Sequence, residues 1–318
     1  MGGSNSSTRV GHRSSLDHAI AGLVTVAYSI VQLPWREMDV VEWAERPELR
    51  NPVGLVAFEG WNDAADAASG AVEFILDQFE DIEPFAVILP EEFFNFQMRR
   101  PDVEIGDGGA RDITWPVVAF YAIPLPDQHR DLVIVLGEEP HHRWLTFAGH
   151  VIEVLESVGV KEVITLGAFI GQVAHTLPVP IIGVATDPTI VERHQLLTSD
   201  YEGPTGISGV LNLSCAEAGM DAVSLWAATP HYLAANENPK AMLALLTKAA
   251  LIAGITIDAT ELAVEAGEFD SRVNQAMDTS DDLSTYIHRL EETSGEAVHP
   301  ALADQLVDEI EKFLKDGD

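Results

Sequence analysis

The sequence predicts an α/β fold, with three α/β/α layers, a mostly parallel sheet and further helices at the C-terminal end. The first observation behind this prediction is the almost wholly apolar run at residues 53–58, which suits a strand buried on both faces. The second is the segment after it, where apolar residues recur at helical spacing behind a candidate cap at Asn62 or Asp63. The third is the repetition of such apolar runs, each leading into a polar loop, which favours a parallel sheet.

The remaining strands are predicted from short apolar runs bounded by turn residues. These runs occupy residues 85–89, 114–123, 132–136, 163–168, 181–185 and 222–228. The segment at 91–116 contains aromatic residues and a glycine-rich turn at 107–109, so we expect a partly exposed hairpin there. Arg99 and Arg100 lie in this segment, and we expect them to pair with neighbouring carboxylates.

The helices are predicted from periodicity and from their end signals. One begins near Trp144 and stops at Gly159, and another stops at Gly219. Asn238 as N-cap, with proline next and Gly254 at the end, brackets a third. Three more are expected over about 260–277, 281–293 and 300–315. The expected organisation is an N-terminal extension over 1–37, an α/β domain over 38–257 and a helical segment over 258–318.

The composition restricts the classes of partner. The chain has 318 residues, 47% of them hydrophobic, which is enough to bury a full core. Its 18 Lys and Arg against 51 Asp and Glu give a formal net charge of -33, which argues against nucleic acid and anionic membranes. The one cysteine, Cys215, lies in an expected helix and is interpreted as a core residue. One cysteine fits a reducing compartment, so we expect a cytoplasmic protein.

Residues 1–37 differ from the rest of the chain. An apolar run at 19–33 follows a polar start, and it is short for a membrane span. A signal peptide is the alternative, but a convincing cleavage site is missing. We expect the folded unit to begin near Met38, with the preceding residues disordered and their deletion leaving the melting temperature nearly unchanged.

Four polar loops follow predicted strands, and a parallel sheet would bring them to one edge. The candidate ligand-binding residues of this crevice are Glu59, Trp61, Asn62, Asp63, Glu138, Glu139, His141, Arg143, His175, Tyr201 and Thr205. Two interpretations stay open. In the favoured one the crevice is a structural seal, and in the other it is a small-molecule site. In either case its carboxylates need a cation, a histidine or a bound ligand to offset their repulsion, and Arg143 is the nearest candidate by sequence.

The chain lacks the usual catalytic signatures. It has no G-x-S-x-G elbow, no phosphate loop and no G-x-G-x-x-G after a strand, and its histidines show no metal-ligand spacing. We therefore assign no catalytic residue, metal or cofactor. An anion site at the helix that begins near Thr205 and Gly206 stays open.

Several segments agree, in order, with one known family: EGWNDA at 59–64, EPH at 139–141 with RW at 143–144, TLGA at 165–168, YEGPTG at 201–206, and LW at 225–226 with PHY at 230–232. Together they resemble the bacterial branch of the PAC2 (proteasome assembly chaperone 2) family, over about residues 38–290. The resemblance implies an α/β/α fold similar to nucleoside phosphorylases, usually no established catalytic activity, and self-association. Eukaryotic and archaeal relatives help to assemble proteasomes.

The chain departs from the family pattern in two places. It ends Asp316-Gly317-Asp318 rather than in a hydrophobic-Tyr-any tail, which removes direct evidence for docking to proteasomes in that way. Leu177 stands where an arginine is expected in a His-Thr-Arg-Pro loop, which weakens an anion-binding role for that loop.

The leading hypothesis is a non-enzymatic, self-associating protein-interaction module, a homo-oligomer with a trimer among the options, that also contacts other proteins. The alternative is an enzyme or a nucleoside-like ligand binder that uses the crevice. An ATP-dependent ligase is a weaker third hypothesis, because the chain has only five lysines, mostly on expected helices.

Overall fold

The computed structural model describes residues 39–79, 81–105, 111–199, 201–277 and 281–293. The expectations for residues 1–37, for the glycine-rich turn at 107–109 and for a helix over 300–315 lie outside these ranges. Within the described residues, none of the helices combines the length and apolar character needed to cross a membrane.

The described residues form ten strands. They are β1 (Val41–Trp43), β2 (Val53–Glu59), β3 (Ala86–Ile88), β4 (Asp102–Ile105), β5 (Arg111–Thr114), β6 (Val118–Ile123), β7 (Leu132–Glu138), β8 (Glu162–Gly171), β9 (Ile181–Ala185) and β10 (Asp221–Pro230). Eight of them make one sheet in the order β1-β3-β6-β7-β2-β8-β10-β9, while β4 and β5 pair separately.

Seven α-helices accompany these strands in the described part of the chain. They are α1 (Ala67–Leu76), α2 (Trp144–Ser157), α3 (Pro188–Arg193), α4 (Ile207–Glu217), α5 (Pro239–Ala253), α6 (Thr260–Met277) and α7 (Asp281–Thr293). Helices α1 and α5 bury their apolar residues against one face of the sheet. Helices α2 and α4 do so against the other face, which confirms the predicted α/β/α class.

The sheet is parallel at its centre and antiparallel on both sides. β7, β2, β8 and β10 pair in parallel. β6, β3 and β1 extend one side by antiparallel pairing, and β9 extends the other. The buried apolar runs that predicted a parallel sheet include these four central strands. The directions of the outer strands are not encoded in hydrophobicity, because both directions bury the same residues.

One predicted strand is interrupted in the structure, and one observed strand was not predicted. The strand expected over 114–123 is interrupted, because β5 ends at Thr114 and β6 begins at Val118. Pro116 lies in the gap and lacks the backbone N–H that a continuous ladder needs. The three-residue strand β1 was not predicted. By contrast, α5 has the predicted bounds: the Asn238 side chain accepts the Ala241 N–H, and Gly254 has a φ of 68°.

Candidate functional site

The candidate site lies at the carboxyl ends of the central strands. Glu59 at the end of β2 is paired in register with Glu138 at the end of β7. The next residue, Glu139, donates its backbone N–H to the Glu59 carbonyl at 3.0 Å. The loops after β2 and β7 therefore start side by side, as the parallel pairing of buried strands requires.

Asn62, Glu139 and Ile207 join three of the predicted loops. The Asn62 side chain is fully buried and donates from Nδ2 to Oε1 of Glu139 at 2.7 Å. The same Glu139 oxygen accepts the backbone N–H of Ile207, the first residue of α4, at 2.8 Å. A carboxylate at a helix N-terminus satisfies a free N–H and the helix dipole together. Glu139 therefore ties the start of α4 to the loop after β2.

Gly206 lies directly against this cluster. A Cβ atom at this position would overlap the side-chain amide of Asn62, so the loop before α4 can approach Asn62 this closely only with glycine. On the other side, the Asn62 carbonyl accepts the backbone N–H of Ala168 on β8 at 2.7 Å. Asn62 is thus fixed to three neighbouring segments.

Asp63 is committed to the N-terminus of α1. Its Oδ1 accepts the Ala68 N–H at 2.6 Å, and its Oδ2 accepts the Ser69 hydroxyl. The predicted capping role is thus present, but the helix begins three residues later than a direct cap would place it. One 3-10 turn intervenes, in which Ala65 and Asp66 have φ of 59° and 49°. Left-handed conformations at residues other than glycine store strain, which the Asp63 bonds offset.

Carboxylates accumulate beside these loops and raise one another's pKa. The pKa of Glu59 is raised to about 7, first by burial and then by Glu138, Asp63 and Asp66, against the opposing effect of Arg99. Burial also raises the pKa of Asp63 to about 6, although its hydrogen bonds with Ser69 and Ala68 oppose the shift.

Glu73 on α1 extends this group along one face of the sheet. Burial, together with Glu59, Asp77, Asp63 and Glu237, raises its pKa to about 7. Within the described residues, no group of three or more His, Cys, Asp or Glu is arranged to hold a metal ion.

The cation at this group of carboxylates is Arg99 rather than Arg143. Arg99 pairs through Nε with Oε1 of Glu138 at 2.5 Å and through Nη1 with Asp102 at 2.8 Å, as expected for an ion pair in this segment. Arg143 has a φ of 55° and pairs with Glu92 instead, which is not one of the predicted carboxylates. Distance along the sequence was therefore a poor guide to the cation, because Arg99 bonds Glu138 although the two are 39 residues apart.

His141 faces the segment before the hairpin. Its backbone N–H donates to the Phe93 carbonyl at 2.8 Å, its Nδ1 lies 3.4 Å from the Asn95 N–H, and its ring contacts Phe94 edge-on. His141 thus packs against residues 93–95. The bonds and ring contacts of its side chain do not involve the carboxylates at Glu59 and Glu138.

His175 belongs to a second cluster, under the C-terminal helices. Its Nδ1 lies 2.8 Å from the Tyr232 hydroxyl, and its Nε2 lies 3.1 Å from Oδ1 of Asn274 on α6. Because the Asn274 oxygen can only accept, Nε2 carries the proton and Nδ1 accepts from Tyr232. Burial lowers the pKa of His175. Lys240, which pairs with Asp270 at 2.9 Å, also donates to the His175 carbonyl.

The outer residues of the site are large and exposed. Trp61 after β2 is 64% exposed and Tyr201 before α4 is 66% exposed, with its hydroxyl bonded to the Pro204 carbonyl. Leu145 at the start of α2 and Ile170 near the end of β8 are exposed as well. Thr205, in the same loop as Tyr201, is exposed and lies over Gly209. We call Trp61, Leu145, Ile170 and Tyr201 the apolar rim.

The structure thus brings together Glu59, Asn62, Asp63, Glu138 and Glu139, and it places Gly206 and Ile207 on the same cluster. His175 lies in a separate cluster. Sequence analysis missed Ser69, Glu73 and Arg99 as members of the site. Glu73 occupies the polar face of a helix, where an acidic residue gives no signal of proximity to the crevice.

A family model described as the PAC2 family matches residues 57–277. The chain therefore belongs to the PAC2 family. A PAC2 family protein from Streptomyces avermitilis is 42% identical, with a TM-score of 0.68, over 74% of this chain and 99% of its own. A proteasome-assembly chaperone homologue from Mycobacterium tuberculosis is 35% identical, with a TM-score of 0.68, over 74% of this chain and 99% of its own.

An archaeal proteasome activator, PbaB from Pyrococcus furiosus, is 21% identical, with a TM-score of 0.58, over 74% of this chain and 97% of its own. At this identity the likeness concerns the fold. The comparison with curated proteins found no match.

Proposed function

We propose that this chain is a non-enzymatic, self-associating protein-interaction module of the PAC2 type that works in the cytoplasm. The observation that carries the proposal is a contrast at the strand ends. Key polar side chains there are held by bonds within the protein, whereas the large apolar side chains around them are exposed.

The bonding of the polar side chains argues against a catalytic role. Oε1 of Glu139 accepts from both Asn62 and Ile207, and both oxygens of Asp63 accept from the start of α1. A general acid or base must reach a proton of the substrate, and a nucleophile needs an adjacent base. Groups committed to two or three internal bonds serve neither role without breaking the loops that they hold.

The apolar side favours a protein partner. Two aromatic and two aliphatic side chains of the apolar rim are exposed at one edge of the sheet. Aromatic residues are enriched at the centres of protein interfaces, where their burial contributes most to binding. One relative is described as a proteasome-assembly chaperone homologue, a role that requires contact with proteins. This description supports the same class of function for this chain.

The apolar rim is tested by comparing the wild-type chain with Trp61→Ala/Tyr201→Ala in pull-downs from native lysate, with mass spectrometry of the bound proteins. Leu213→Ala, which removes an exposed side chain on α4, is the matched control. The proposal predicts that the control retains the wild-type partners and the rim variant loses them. Equal capture by all three proteins contradicts a role for the rim.

The second candidate function is binding of a small, nucleoside-like ligand in the crevice, with or without catalysis. The raised pKa of Glu59, to about 7, and the strained backbone at Ala65 and Asp66 favour it, because both features concentrate at functional sites. A thermal-shift screen of nucleosides, phosphates and divalent metals separates the two functions. A wild-type hit that disappears in a folded Glu59→Gln variant would replace our proposal with this one.

A further inference from the structure

The hairpin of β4 and β5 stands apart from the main sheet and has one exposed face. In its register Val103 lies opposite Ile113, and Ile105 lies opposite Arg111. Directly opposed residues share a face, and so do residues two apart in a strand. These four side chains therefore form one face, and within it Val103 is 56% exposed and Ile105 is 71% exposed.

An isolated two-stranded hairpin is marginally stable in water, and its apolar face gains from being covered. The base of this hairpin is nevertheless fixed. Arg99 bonds Asp102, the first residue of β4, and also Glu138 at the end of β7. The hairpin thus presents an uncovered apolar face from an anchored position, which is characteristic of a surface that another protein covers.

The charge on this face is unusual for so acidic a chain. Arg111 lies on this face and is exposed. Among the described residues, this arginine has no ion pair. We call Val103, Ile105 and Arg111 the hairpin surface. A cationic, apolar surface on a chain with a net charge of -33 fits an acidic, apolar partner.

Such a complementary surface exists on α6 of the same chain. Its inner face is buried through Leu262, Ala266 and Phe269. On the outer side Val264 is 57% exposed, and Glu261, Glu265 and Glu268 are exposed around it. Spacings of three and four residues place these four side chains on one stripe. The three carboxylates have no ion pair within the described residues, and we call the stripe the helix surface.

One copy of the chain cannot easily bring its own two surfaces together. The hairpin is anchored at the end of β7, while α6 packs on α5, which lies over β8 and β10. Three strand spacings separate β7 from β10 in the sheet, roughly 14 Å. No bond joins the two surfaces in the part of the chain that the structure describes.

We propose that the hairpin surface of one copy docks on the helix surface of a second copy. Arg111 then faces Glu261, Glu265 and Glu268, while Val103 and Ile105 cover Val264. This inference rests on the proposed self-association and gives it a location. The contact is head-to-tail, so each copy uses both surfaces, and the copies form a ring where the rotation between them closes.

Charge reversal tests this pairing because every substituted side chain is exposed. One full-length variant is Arg111→Glu and the other is Glu265→Lys/Glu268→Lys. Their matched controls, with the same charge changes elsewhere on the surface, are Arg193→Glu and Glu156→Lys/Glu217→Lys. Mass is measured by light scattering at physiological salt and micromolar concentration.

We expect both controls to keep the wild-type mass and each variant alone to fall to one subunit, 34.5 kDa. An equimolar mixture of the two variants associates again, because the reversed hairpin of one variant meets the reversed helix of the other. The mixture regains the wild-type mass where the ring has an even number of copies, since the two variants must alternate. A wild-type oligomer whose mass both variants retain overturns the docking surfaces but leaves self-association standing. A mixture that stays at 34.5 kDa overturns the pairing, and a monomeric wild type overturns self-association itself.

Discussion

Asn62 and Glu139 are 77 residues apart in the chain, yet the Asn62 amide donates to the Glu139 carboxylate at 2.7 Å. The same carboxylate oxygen also holds the first backbone N–H of α4. This pair converts three loops at the strand ends into one bonded unit. The charge of Glu139 and the amide of Asn62 are therefore occupied by bonds that hold the sheet edge together.

The bonding role of Glu139 can be tested with one substitution that removes its side-chain oxygens and one that retains a side-chain carbonyl oxygen. We expect Glu139→Ala to lower the free energy of unfolding by about 2 to 4 kcal/mol, because Asn62 and the Ile207 N–H lose their acceptor. Glu139→Gln retains a carbonyl oxygen at the same place and loses much less. Urea denaturation measures both. Equal losses in the two variants would contradict the bonding role assigned to this residue.

Gly206 is expected to tolerate no side chain. We predict that Gly206→Ala costs about 1 to 3 kcal/mol, because its Cβ overlaps the buried, hydrogen-bonded amide of Asn62. Gly149→Ala is the matched control, since a Cβ at that position in α2 meets no atom within 4 Å and alanine favours a helix. Thermal unfolding of the two variants should move in opposite directions. A Gly206→Ala variant as stable as wild type contradicts the packing described here.

Glu73 makes stability depend on pH with a defined sign. Its pKa is raised in the folded state to about 7 from an ordinary value of 4.5, so the folded protein binds more protons between these values. Lowering the pH from 8 towards 6.5 therefore stabilises the fold. The neutral Glu73→Gln side chain should add about 1 to 3 kcal/mol at pH 8 and remove part of this pH dependence.

Urea denaturation at pH 8 and pH 6.5 checks this prediction, with the exposed Glu153→Gln as the control. The comparison stops at pH 6.5 because the folded state lowers the pKa of His175 and of His231. Below this pH the two histidines therefore make the fold less stable as the pH falls, which opposes the effect of Glu73. If Glu73→Gln is no more stable than wild type at pH 8, the charged Glu73 carboxylate does not destabilise the fold as its burial implies.

Tyr232 links the sheet to the C-terminal helices through His175. Its hydroxyl accepts the His175 backbone N–H and donates to Nδ1 of the same residue, whose Nε2 reaches Asn274 on α6. We predict that Tyr232→Phe lowers stability by about 1 to 3 kcal/mol and accelerates amide hydrogen exchange in α6. Tyr201→Phe, at an exposed hydroxyl, is the control. Unchanged hydrogen exchange in α6 would show that the bonds between Tyr232, His175 and Asn274 do not hold α6 on the rest of the protein.

Strands and helices whose sequence signals lie within the element itself were predicted correctly. The apolar run of β2 and the cap, proline and glycine of α5 each lie within one element, so they predict that element without knowledge of its neighbours. The bounds of α6 and α7 also agree with prediction, because their periodicity is long and their ends are marked. A three-residue edge strand such as β1 has no periodicity to recognise.

The site was only partly predictable because its bonds join distant segments. The strand ends indicated where Glu59 and Glu139 would lie, since parallel strands end at one edge. The partner of Glu138 could not be inferred, because Arg99 lies just before the hairpin, 39 residues away from Glu138 in sequence. The separation of His175 from the carboxylates likewise depends on Tyr232 and Asn274, which are 57 and 99 residues away.

The most direct test of this account is the mass of the wild-type chain in solution, measured by light scattering at physiological salt across micromolar concentrations. A protein that acts by association through its exposed surfaces should show more than one subunit, a multiple of 34.5 kDa. A mass of one subunit at every concentration would contradict the self-association on which the account depends.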